Sequence, residues 1–371
     1  MTEKEFLQEI ATATVDRKNF VEELRAYEMP VFMFGAGEFA RETTNMLNEC
    51  NLEVDGYLVD DKYYKPNSIY LNRPVYSFSE ISANKSQSYV LIRGINPGWR
   101  EARNRIEKFP QFKIYEFIKE NFYTLTYEDI VNEKEKFFET YNLLTDELSK
   151  KTFLICLKAH ISLVPCHLKD IVATKEYFNE LTESKKMGGG TFVDCGAFRG
   201  DTVKKFIDFV GGKYKKIFAV EPDEKNFAEL QKFVKDNEYK NIFLYQGGVY
   251  DKKGTVNFMN YSFMGYSSTG SKVSEDGEWV VNVDTIDNIV GDSPVSLIKM
   301  DIEGSELPAL KGAINTLKKS RPVLVISVYH RQEDLITIPQ FIKDVYKNCR
   351  FYLRQYRTVD VADLDLYVIP E

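Results

Sequence analysis

Residues 191–200 read Thr-Phe-Val-Asp-Cys-Gly-Ala-Phe-Arg-Gly, and the class of fold is predicted mainly from these residues. An apolar run ends in Asp194 and enters a turn with two glycines, as a buried strand does when it passes into a helix. A second apolar run, residues 217–220, ends in Glu221. Open α/β sheets bind their ligands at the carboxyl ends of parallel strands. The acids and glycines together therefore predict a ligand pocket.

The charge of this turn distinguishes between two kinds of cofactor. A dinucleotide-binding turn reads G-x-G-x-x-G and receives a pyrophosphate at the helix N-terminus. Here the glycines are Gly196 and Gly200, and Asp201 follows them directly. Carboxylates at this position repel a pyrophosphate but suit a cofactor that carries an ammonium and a sulfonium group. The turn therefore favours S-adenosylmethionine.

A second acidic cluster follows a third apolar run. Residues 295–300 predict a buried strand next to the first one, and they lead into Asp301, Glu303 and Glu306. We expect these carboxylates at the same edge of the sheet as the first acid. We expect the side chain of Lys299 to point to the opposite side of the strand from Asp301 and to be structural.

Four strings occur in order in the second half of the chain: Asp194-Cys-Gly-Ala197, Glu221-Pro-Asp223, Ile298-Lys-Met-Asp-Ile-Glu-Gly-Ser-Glu306 and Leu310-Lys-Gly-Ala313. With these strings the second half of the chain resembles the FkbM-type family of S-adenosylmethionine-dependent methyltransferases. The resemblance implies an α/β fold whose C-terminal domain is a class I methyltransferase Rossmann-like sheet, mostly parallel with an antiparallel edge strand. A smaller parallel α/β domain and a helical bridge are expected to precede it.

The predicted cofactor contacts follow from these strings. We expect Asp194 to bind the methionine ammonium and Glu221 to bind the ribose hydroxyls. We expect Gly196 and Gly200 to leave room for the methionine and adenosine parts. The remaining predicted contacts are Ala197, Asp201, Pro222, Val249 and Asp301. The structural alternative for Asp194 and Glu221 is helix capping.

The predicted proton acceptor is His330, with Asp301 and Glu303 as further catalytic candidates. His330 is one of three histidines and ends an apolar run, and an imidazole titrates near neutrality. A histidine that only closes the sheet edge is the plain alternative. Asp301, Glu303 and Glu306 could instead hold Mg²⁺, which prefers carboxylate and water ligands. The sequence does not separate metal-assisted from metal-free chemistry.

Four segments are predicted along the chain: a helical lead-in at 1–29, a small Rossmann-like domain at 30–120, a helical bridge at 121–187 and the methyltransferase domain at 188–371. In the second segment, Gly35-x-Gly37-x-x-Ala40 with Asp60 after the next strand fits a dinucleotide fingerprint in outline. The alternatives are a nucleotide site and a tight turn in a packing domain. The stretch 260–278, rich in Ser, Gly and Tyr, predicts a lid over the acceptor or a surface hairpin loop.

Composition narrows the classes of protein further. The chain has 371 residues, 43% of them hydrophobic and 28% charged, which suits two folded domains. The net charge of −7 without a basic patch argues against nucleic acid, and no apolar run reaches the length of a membrane span. Five scattered cysteines and the acidic start without a signal peptide predict a cytoplasmic protein. An oligomer is left open.

The expected function is therefore that of a cytoplasmic S-adenosylmethionine-dependent O-methyltransferase, as the resemblance implies. The expected acceptor is a hydroxyl of a sugar in a nucleotide-linked or lipid-linked glycan. One alternative is an NAD(P)-dependent oxidoreductase that uses the first α/β domain. The other is a non-catalytic nucleotide-binding scaffold.

Overall fold

The structure is a computed structural model that describes residues 1–94, 98–116, 125–164, 167–183, 187–259, 272–273, 279–358 and 361–371. Most of the predicted lid at 260–278 lies outside the described residues. The predicted segment boundaries at 120 and 187 stay predictions, because residues 117–124 and 184–186 lie outside them as well.

One long helix, α1 (Glu3–Arg25), opens the chain and begins with a capping box between Thr2 and Glu5. Its first half buries Phe6 and Ile10 in the core that it shares with the helices at 134–143 and 147–162. Its last turn buries Leu24 in the core of the first sheet. The predicted helical lead-in therefore contacts both halves of the molecule.

The first sheet has the strand order β3-β4-β2-β1-β5-β6, and its strands are parallel except for β3. The strands are β1 (Val31–Phe34), β2 (Gly56–Val59), β3 (Ile69–Tyr70), β4 (Arg73–Ser77), β5 (Tyr89–Arg93) and β6 (Phe112–Tyr115). Its helices are α2 (Glu38–Glu49), α3 (Phe78–Ala83) and α4 (Trp99–Ile106), with a 3-10 turn at Asp61–Tyr63. A small parallel α/β unit is thus present where the alternation of strands and helices predicts it.

Along the chain, the described helices between the two sheets are α5 (Tyr127–Asn132), α6 (Lys134–Leu143), α7 (Glu147–Ser162) and α8 (Glu180–Glu183). A 3-10 turn at Leu168–Asp170 follows α7. From this turn, residues 171–178 run along the edge of the second sheet, where Ala173 N donates to Gln355 O at 2.8 Å. This path brings residues of the helical bridge to the rim of the second sheet.

The second half of the chain forms a seven-stranded sheet and a small four-stranded sheet. In chain order its strands are β7 (Thr191–Cys195), β8 (Lys216–Glu221), β9 (Ile242–Gln246), β10 (Gly248–Val249), β11 (Gly254–Met259), β12 (Lys272–Val273), β13 (Trp279–Asp284), β14 (Leu297–Met300), β15 (Val323–Ser327), β16 (Cys349–Gln355) and β17 (Leu364–Pro370). Its helices are α9 (Asp201–Phe209), α10 (Glu224–Asp236), α11 (Ile286–Val290), α12 (Glu306–Lys311), α13 (Ile314–Ser320) and α14 (Asp334–Val345).

The large sheet confirms the predicted α/β class. Its order is β16-β17-β15-β14-β7-β8-β9, and β14 lies beside β7 as expected. The antiparallel strand is β17, which lies second from the edge because β16 pairs with its outer side. The sequence predicts an antiparallel pair of strands at 254–258 and 279–283, and in the small sheet β11 and β13 form this pair.

The sequence predicts one helix over residues 306–318, but the structure has two helices there. Helix α12 ends at Gly312, and a Cβ at that position would lie 2.0 Å from the carbonyl oxygen of Tyr250. Helix α13 then starts on a new axis, where Asp287 accepts hydrogen bonds from the backbone N–H groups of Asn315 and Thr316. A close backbone contact and a new cap replace the continuous helix.

Among the described helices, none is both long enough and apolar enough to cross a membrane.

Candidate functional site

A cavity of about 250 Å³ lies at the carboxyl ends of β7, β8 and β14. These strands are neighbours in the sheet, so the residues that follow them meet at one edge. The predicted residues that line the cavity are Gly196, Asp201, Glu221, Pro222, Val249, Asp301 and Glu303. The lining residues that we did not predict are Glu176, Tyr177, Phe198, Thr202, Val220, Asn226, Gly248, Trp279, Lys299, Ile302 and Ser305.

The two glycines of the turn make room mainly for the protein itself. Gly196 has a φ of +83°, and a Cβ there would lie 2.1 Å from the backbone oxygen of Asp301. Gly200 has a φ of +93°, and a Cβ there would lie 2.4 Å from the ring of Phe233. Gly196 lines the cavity, whereas Gly200 does not. Ala197 is fully buried in the core and also does not line the cavity.

Glu221 presents a buried carboxylate to the cavity. Its Oε2 accepts a hydrogen bond from Phe198 N at 2.9 Å, and its Oε1 accepts one from Asp223 N at 3.0 Å. Burial raises the pKa of Glu221 to about 7, against the lowering effect of these backbone donors. A carboxylate oxygen can accept more than one hydrogen bond, so Glu221 can also accept from hydroxyl groups of a ligand.

Asp194 lies behind the cavity wall rather than on it. The residue is fully buried, and its Oδ1 is 3.4 Å from the Nζ of Lys299. Neither carboxylate oxygen has a hydrogen-bond partner among the described residues. Burial raises the pKa of Asp194 to about 6, although the charge of Lys299 lowers it. The structure therefore pairs Asp194 with a lysine of the protein.

The expectation that Lys299 points away from Asp301 is wrong. Residues two apart in a strand point to the same side of the sheet, so Lys299 shares the side of Asp301. Its Nζ donates to the backbone oxygen of Gly196 at 2.9 Å, and the side chain lines the cavity. The charges of Asp194 and Asp301 raise the pKa of Lys299 above its ordinary value in spite of burial, so it is a cation.

Asp301 lies at the centre of a polar cluster on the other part of the wall. It accepts hydrogen bonds at 3.3 Å from the hydroxyls of Tyr177 and Tyr329, and its Oδ1 is 3.4 Å from His330 Nε2. Burial on its own would raise the pKa of Asp301, but the charges of Lys299 and His330 outweigh it, so the pKa lies below its ordinary value. Asp301 is therefore an ionised carboxylate on the cavity surface.

His330 lies outside the cavity wall and is surrounded by carboxylates. Its Nδ1 is 2.8 Å from Glu306 Oε1, and its Nε2 is 3.5 Å from Glu303 Oε2. Burial lowers the pKa of His330, but Glu306, Glu303 and Asp301 outweigh this effect and raise it to about 10. The ring is therefore an imidazolium at neutral pH and holds a proton in this state. Glu306 is also fully buried and accepts from Ile302 N at 2.9 Å.

Three of these residues could ligate a metal ion. Asp301, Glu306 and His330 each offer a ligand atom, and these atoms lie within 4.8 Å of one another. Among the described residues, Glu306 Oε2 and His330 Nε2 have no hydrogen-bond partner. The metal ligands predicted from the sequence are Asp301, Glu303 and Glu306. The group found in the structure contains His330 in place of Glu303.

No local signal in the sequence marks Glu176 and Tyr177 as cavity residues. They belong to the helical bridge, more than 120 positions before Asp301, and no motif marks them. Tyr177 has a φ of +61°, which is uncommon for a residue with a Cβ. Such strained residues are concentrated at functional sites, so the backbone angle marks Tyr177 only once the structure is known.

The fingerprint in the first sheet has a different environment. Gly35 has a φ of +122° and donates to Leu58 O at 2.7 Å, and Gly37 caps helix α2. The carboxylate of Asp60, expected to meet a ribose, forms an ion pair with Arg105 of α4. Protein groups therefore already satisfy the acid of this fingerprint.

The parallel sheet and the acidic cavity at the ends of its central strands define a Rossmann-like methyltransferase domain. Residues 194–353 match the family model described as the methyltransferase FkbM domain. This part of the chain is therefore similar to FkbM-type methyltransferase domains, and methyltransferases of this fold use S-adenosylmethionine as the methyl donor. A comparison with curated proteins finds no match.

Several solved structures are similar to this chain. Methyltransferase FkbM from Methylobacillus flagellatus KT is 22% identical, with a TM-score of 0.72 and 98% of each chain covered. An rRNA methylase from Streptococcus thermophilus is 13% identical, with a TM-score of 0.35, and covers 52% of this chain and 92% of its own. Fibrillarin from Aeropyrum pernix, with bound S-adenosyl-L-methionine, is 12% identical, with a TM-score of 0.33, and covers 50% of this chain and 68% of its own. The first of these likenesses includes both sheets and shows a shared fold.

Proposed function

We propose that the chain is an S-adenosylmethionine-dependent O-methyltransferase whose acceptor is a hydroxyl of a sugar in a nucleotide-linked or lipid-linked glycan. The observation that carries the proposal is a single cavity that is lined by both Glu221 and Asp301. These residues lie at the ends of β8 and β14, the two strands that flank β7. Glu221 suits the ribose of the donor, and Asp301 suits the hydroxyl of the acceptor.

The charge of the cavity supports a cationic cofactor. The lining carboxylates are those of Glu176, Asp201, Glu221, Asp301 and Glu303, and the lining cation among the described residues is Lys299. When bound, S-adenosylmethionine supplies a methyl group on a positively charged sulfur. An excess of carboxylates attracts this charge and disfavours a pyrophosphate.

Asp301 is the residue that we assign to proton removal. It lines the cavity as an ionised carboxylate, whereas His330 lies behind it with Nδ1 held by Glu306. As the acceptor oxygen gains the methyl group, Asp301 accepts the proton of the hydroxyl. Positioning of the two reactants supplies about 7–11 kcal/mol in well-oriented reactions, and a placed base adds about 10²–10⁴-fold. His330 then acts by holding Asp301, and Glu303 and Glu306 hold His330.

The wall of the cavity also supports a sugar as acceptor. Aromatic rings of Phe198, Trp279 and Tyr177 line it together with the carboxylates. Aromatic rings offer apolar faces, and carboxylates accept hydrogen bonds from hydroxyls. The same carboxylates repel phosphate groups, so the phosphates of a nucleotide-linked or lipid-linked acceptor lie away from this wall.

A divalent cation at Asp301, Glu306 and His330 is the second arrangement that the geometry supports, with the cation in place of the proton on one ring nitrogen of His330. When bound, such an ion lowers the pKa of a hydroxyl that it ligates. Methyl transfer from S-adenosylmethionine to the acceptor, measured with a chelator and then with added Mg²⁺, distinguishes the two arrangements. Activity that survives a chelator indicates metal-free transfer, and activity that returns only with the ion indicates metal assistance.

The experiment that tests the function is transfer of a labelled methyl group from S-adenosylmethionine to separate pools of nucleotide-linked sugars, lipid-linked sugars and nucleic acid. We expect label in a sugar pool, lost in Asp301→Asn with the affinity for S-adenosylhomocysteine retained. Label in nucleic acid alone would refute the acceptor class. Label in no pool, with the donor bound, would favour the scaffold.

A further inference from the structure

Resting on the proposed function, we propose that Lys299 and Glu176 recognise the methionine end of the donor. Lys299 binds the carboxylate of the amino acid, and Glu176 binds its ammonium group. Asp194, which the sequence assigns to that ammonium, acts instead through Lys299 and is a positioning residue.

Lys299 is the one lysine or arginine among the described residues that line the cavity. The residue is 3% exposed, and its Nζ lies 2.9 Å from Gly196 O and 3.4 Å from Asp194 Oδ1. The donor carries one carboxylate, and burial of a carboxylate requires a cationic partner. In a wall that is otherwise acidic, Lys299 is the partner that the cavity offers.

Asp194 is screened from a ligand by this lysine. It is fully buried, it is not part of the cavity wall, and its nearest cation is Lys299. An ammonium group that approached Gly196 would meet the ammonium of Lys299, and like charges at this distance repel each other. The donor ammonium must therefore find another carboxylate of the wall.

Glu176 lines the cavity and directly precedes Tyr177, whose ring contacts Lys299. Its neighbour Tyr177 has its ring centroid 5.4 Å from Lys299 Nζ and its hydroxyl 3.3 Å from Asp301. The strained backbone of Tyr177 is fixed by a hydrogen bond of 2.9 Å from its N–H to the hydroxyl of Tyr367. This anchor holds Glu176 on the cavity wall, with Lys205 at 3.4 Å as its ion-pair partner.

The other carboxylates of the wall have different surroundings. Glu221 accepts two backbone hydrogen bonds at the end of β8, and Asp301 and Glu303 face His330. Asp201 begins helix α9, where the helix N-terminus stabilises its charge. Glu176 is thus the remaining carboxylate of the wall, and its chain neighbour Tyr177 contacts Lys299, which together suit an amino acid that carries both charges.

The test compares two ligands that share the nucleoside thioether. S-adenosylhomocysteine carries the amino-acid end, and 5′-methylthioadenosine lacks it. We expect Glu176→Gln and Lys299→Met each to weaken the binding of S-adenosylhomocysteine by about tenfold or more, because each substitution removes one charged hydrogen bond to this ligand. Their affinity for 5′-methylthioadenosine, measured by calorimetry, should stay that of the unmodified chain.

Three controls accompany these variants. Asp194→Asn combined with Lys299→Met removes both buried charges together and should show the same selective loss. Lys205→Gln removes the partner of Glu176 outside the cavity and should bind both ligands normally. Asp201→Asn measures the neighbouring carboxylate and should retain selectivity for S-adenosylhomocysteine.

The outcomes separate this inference from the proposed function. An equal loss of affinity for both ligands in Glu176→Gln and Lys299→Met, or no loss of affinity for either ligand, would overturn the inference. A selective loss in Asp201→Asn instead of Glu176→Gln would move the ammonium site to Asp201 and refute the assignment. If the unmodified chain binds neither ligand, the proposed function itself fails.

Discussion

At the scale of single residues, Glu221 connects the binding of the donor to pH. Its pKa of about 7 is high because the carboxylate is buried. Binding of ribose hydroxyls uses the ionised form, so affinity is highest above pH 7 and is lost as the pH falls through this value. We expect the affinity for S-adenosylhomocysteine to fall by up to about tenfold per pH unit below 7, measured by calorimetry.

The variant Glu221→Gln is the matched control for this pH dependence. It keeps the shape of the side chain and removes its titration, so its affinity should be lower and flat between pH 6 and 8. A slope in the variant equal to that of the unmodified chain would assign the titration to another group.

Gly196 fixes the distance between the first turn and Asp301. Gly196→Ala places a Cβ 2.1 Å from the backbone oxygen of Asp301, at a φ of +83°. Gly189→Ala has nearly the same φ, +81°, with nothing within 4 Å of the new Cβ. Urea unfolding should show a loss of about 1–2 kcal/mol for Gly189→Ala from the backbone alone.

Gly196→Ala should lose about 1–3 kcal/mol more than this control, because the turn must move away from β14. The affinity for S-adenosylhomocysteine should fall in this variant and not in Gly189→Ala. Equal stability losses in the two variants would show that the close contact at Asp301 is not rigid.

Sequence reasoning at this scale placed the acids well and the lysine badly. Glu221 and Asp301 line the cavity because Glu221 ends β8 and Asp301 directly follows β14, which is a local property of the sequence. Lys299 was misplaced although the period of a strand puts it on the side of Asp301. Tyr177 could not be found, because its contact with Asp301 depends on the path of the chain between the sheets.

At the scale of elements, helix α7 shows how a cap can also join two parts of the fold. Its N-cap Asp146 accepts a hydrogen bond from Ser149 N at 2.7 Å and pairs with the buried Arg354 of β16 at 2.6 Å. Asp146→Ala removes both interactions and should lower the free energy of unfolding by at least about 1–2 kcal/mol.

Glu147→Ala provides the comparison for this cap. Glu147 is the next residue in the same helix, and its side chain is 91% exposed. Its removal should change the free energy of unfolding by no more than about 0.5 kcal/mol in the same urea titration. Similar effects of the two variants would mean that the contact with Arg354 adds no stability.

The hairpin β3–β4 marks the limit of prediction for elements. Its turn residues Leu71 and Asn72 have φ angles of +44° and +62°, which are the angles of a tight hairpin. Leucine is rare at such a position, and the turn contains no glycine from which it could be predicted. The break at Gly312 was missed for a related reason, since the nearby Tyr250 backbone is distant in sequence.

At the scale of the whole molecule, α1 connects the first sheet to the methyltransferase core. Phe6 is fully buried near the start of this helix, and its ring lies 5.7 Å from that of Tyr141 and 6.4 Å from that of Phe153. Phe6→Ala should lower the free energy of unfolding by about 3–5 kcal/mol. Val15→Ala, at a site 55% exposed in the same helix, should change it by less than about 0.5 kcal/mol.

A single unfolding transition that moves as a whole in Phe6→Ala would show that the two sheets unfold together. Two transitions, of which Phe6→Ala shifts neither, would contradict the role of α1 in the stability of the core.

The two sheets differ in whether the acids of their fingerprints are paired with basic groups of the protein or line a cavity. In the first, Asp60 is paired with Arg105, and in the second, Glu221 and Asp301 line a cavity. The sequence predicts both fingerprints from glycines and acids, but it cannot show which acid a distant arginine neutralises. We therefore expect donor binding at the second sheet.

The measurement that tests this account most directly is calorimetric titration of the whole chain with S-adenosylhomocysteine and, in parallel, with NAD⁺. The account predicts one-to-one binding of S-adenosylhomocysteine, weakened in Glu221→Gln, and no binding of NAD⁺. Binding of NAD⁺ alone, lost when Asp60 is replaced, would move the chemistry to the first sheet and contradict it.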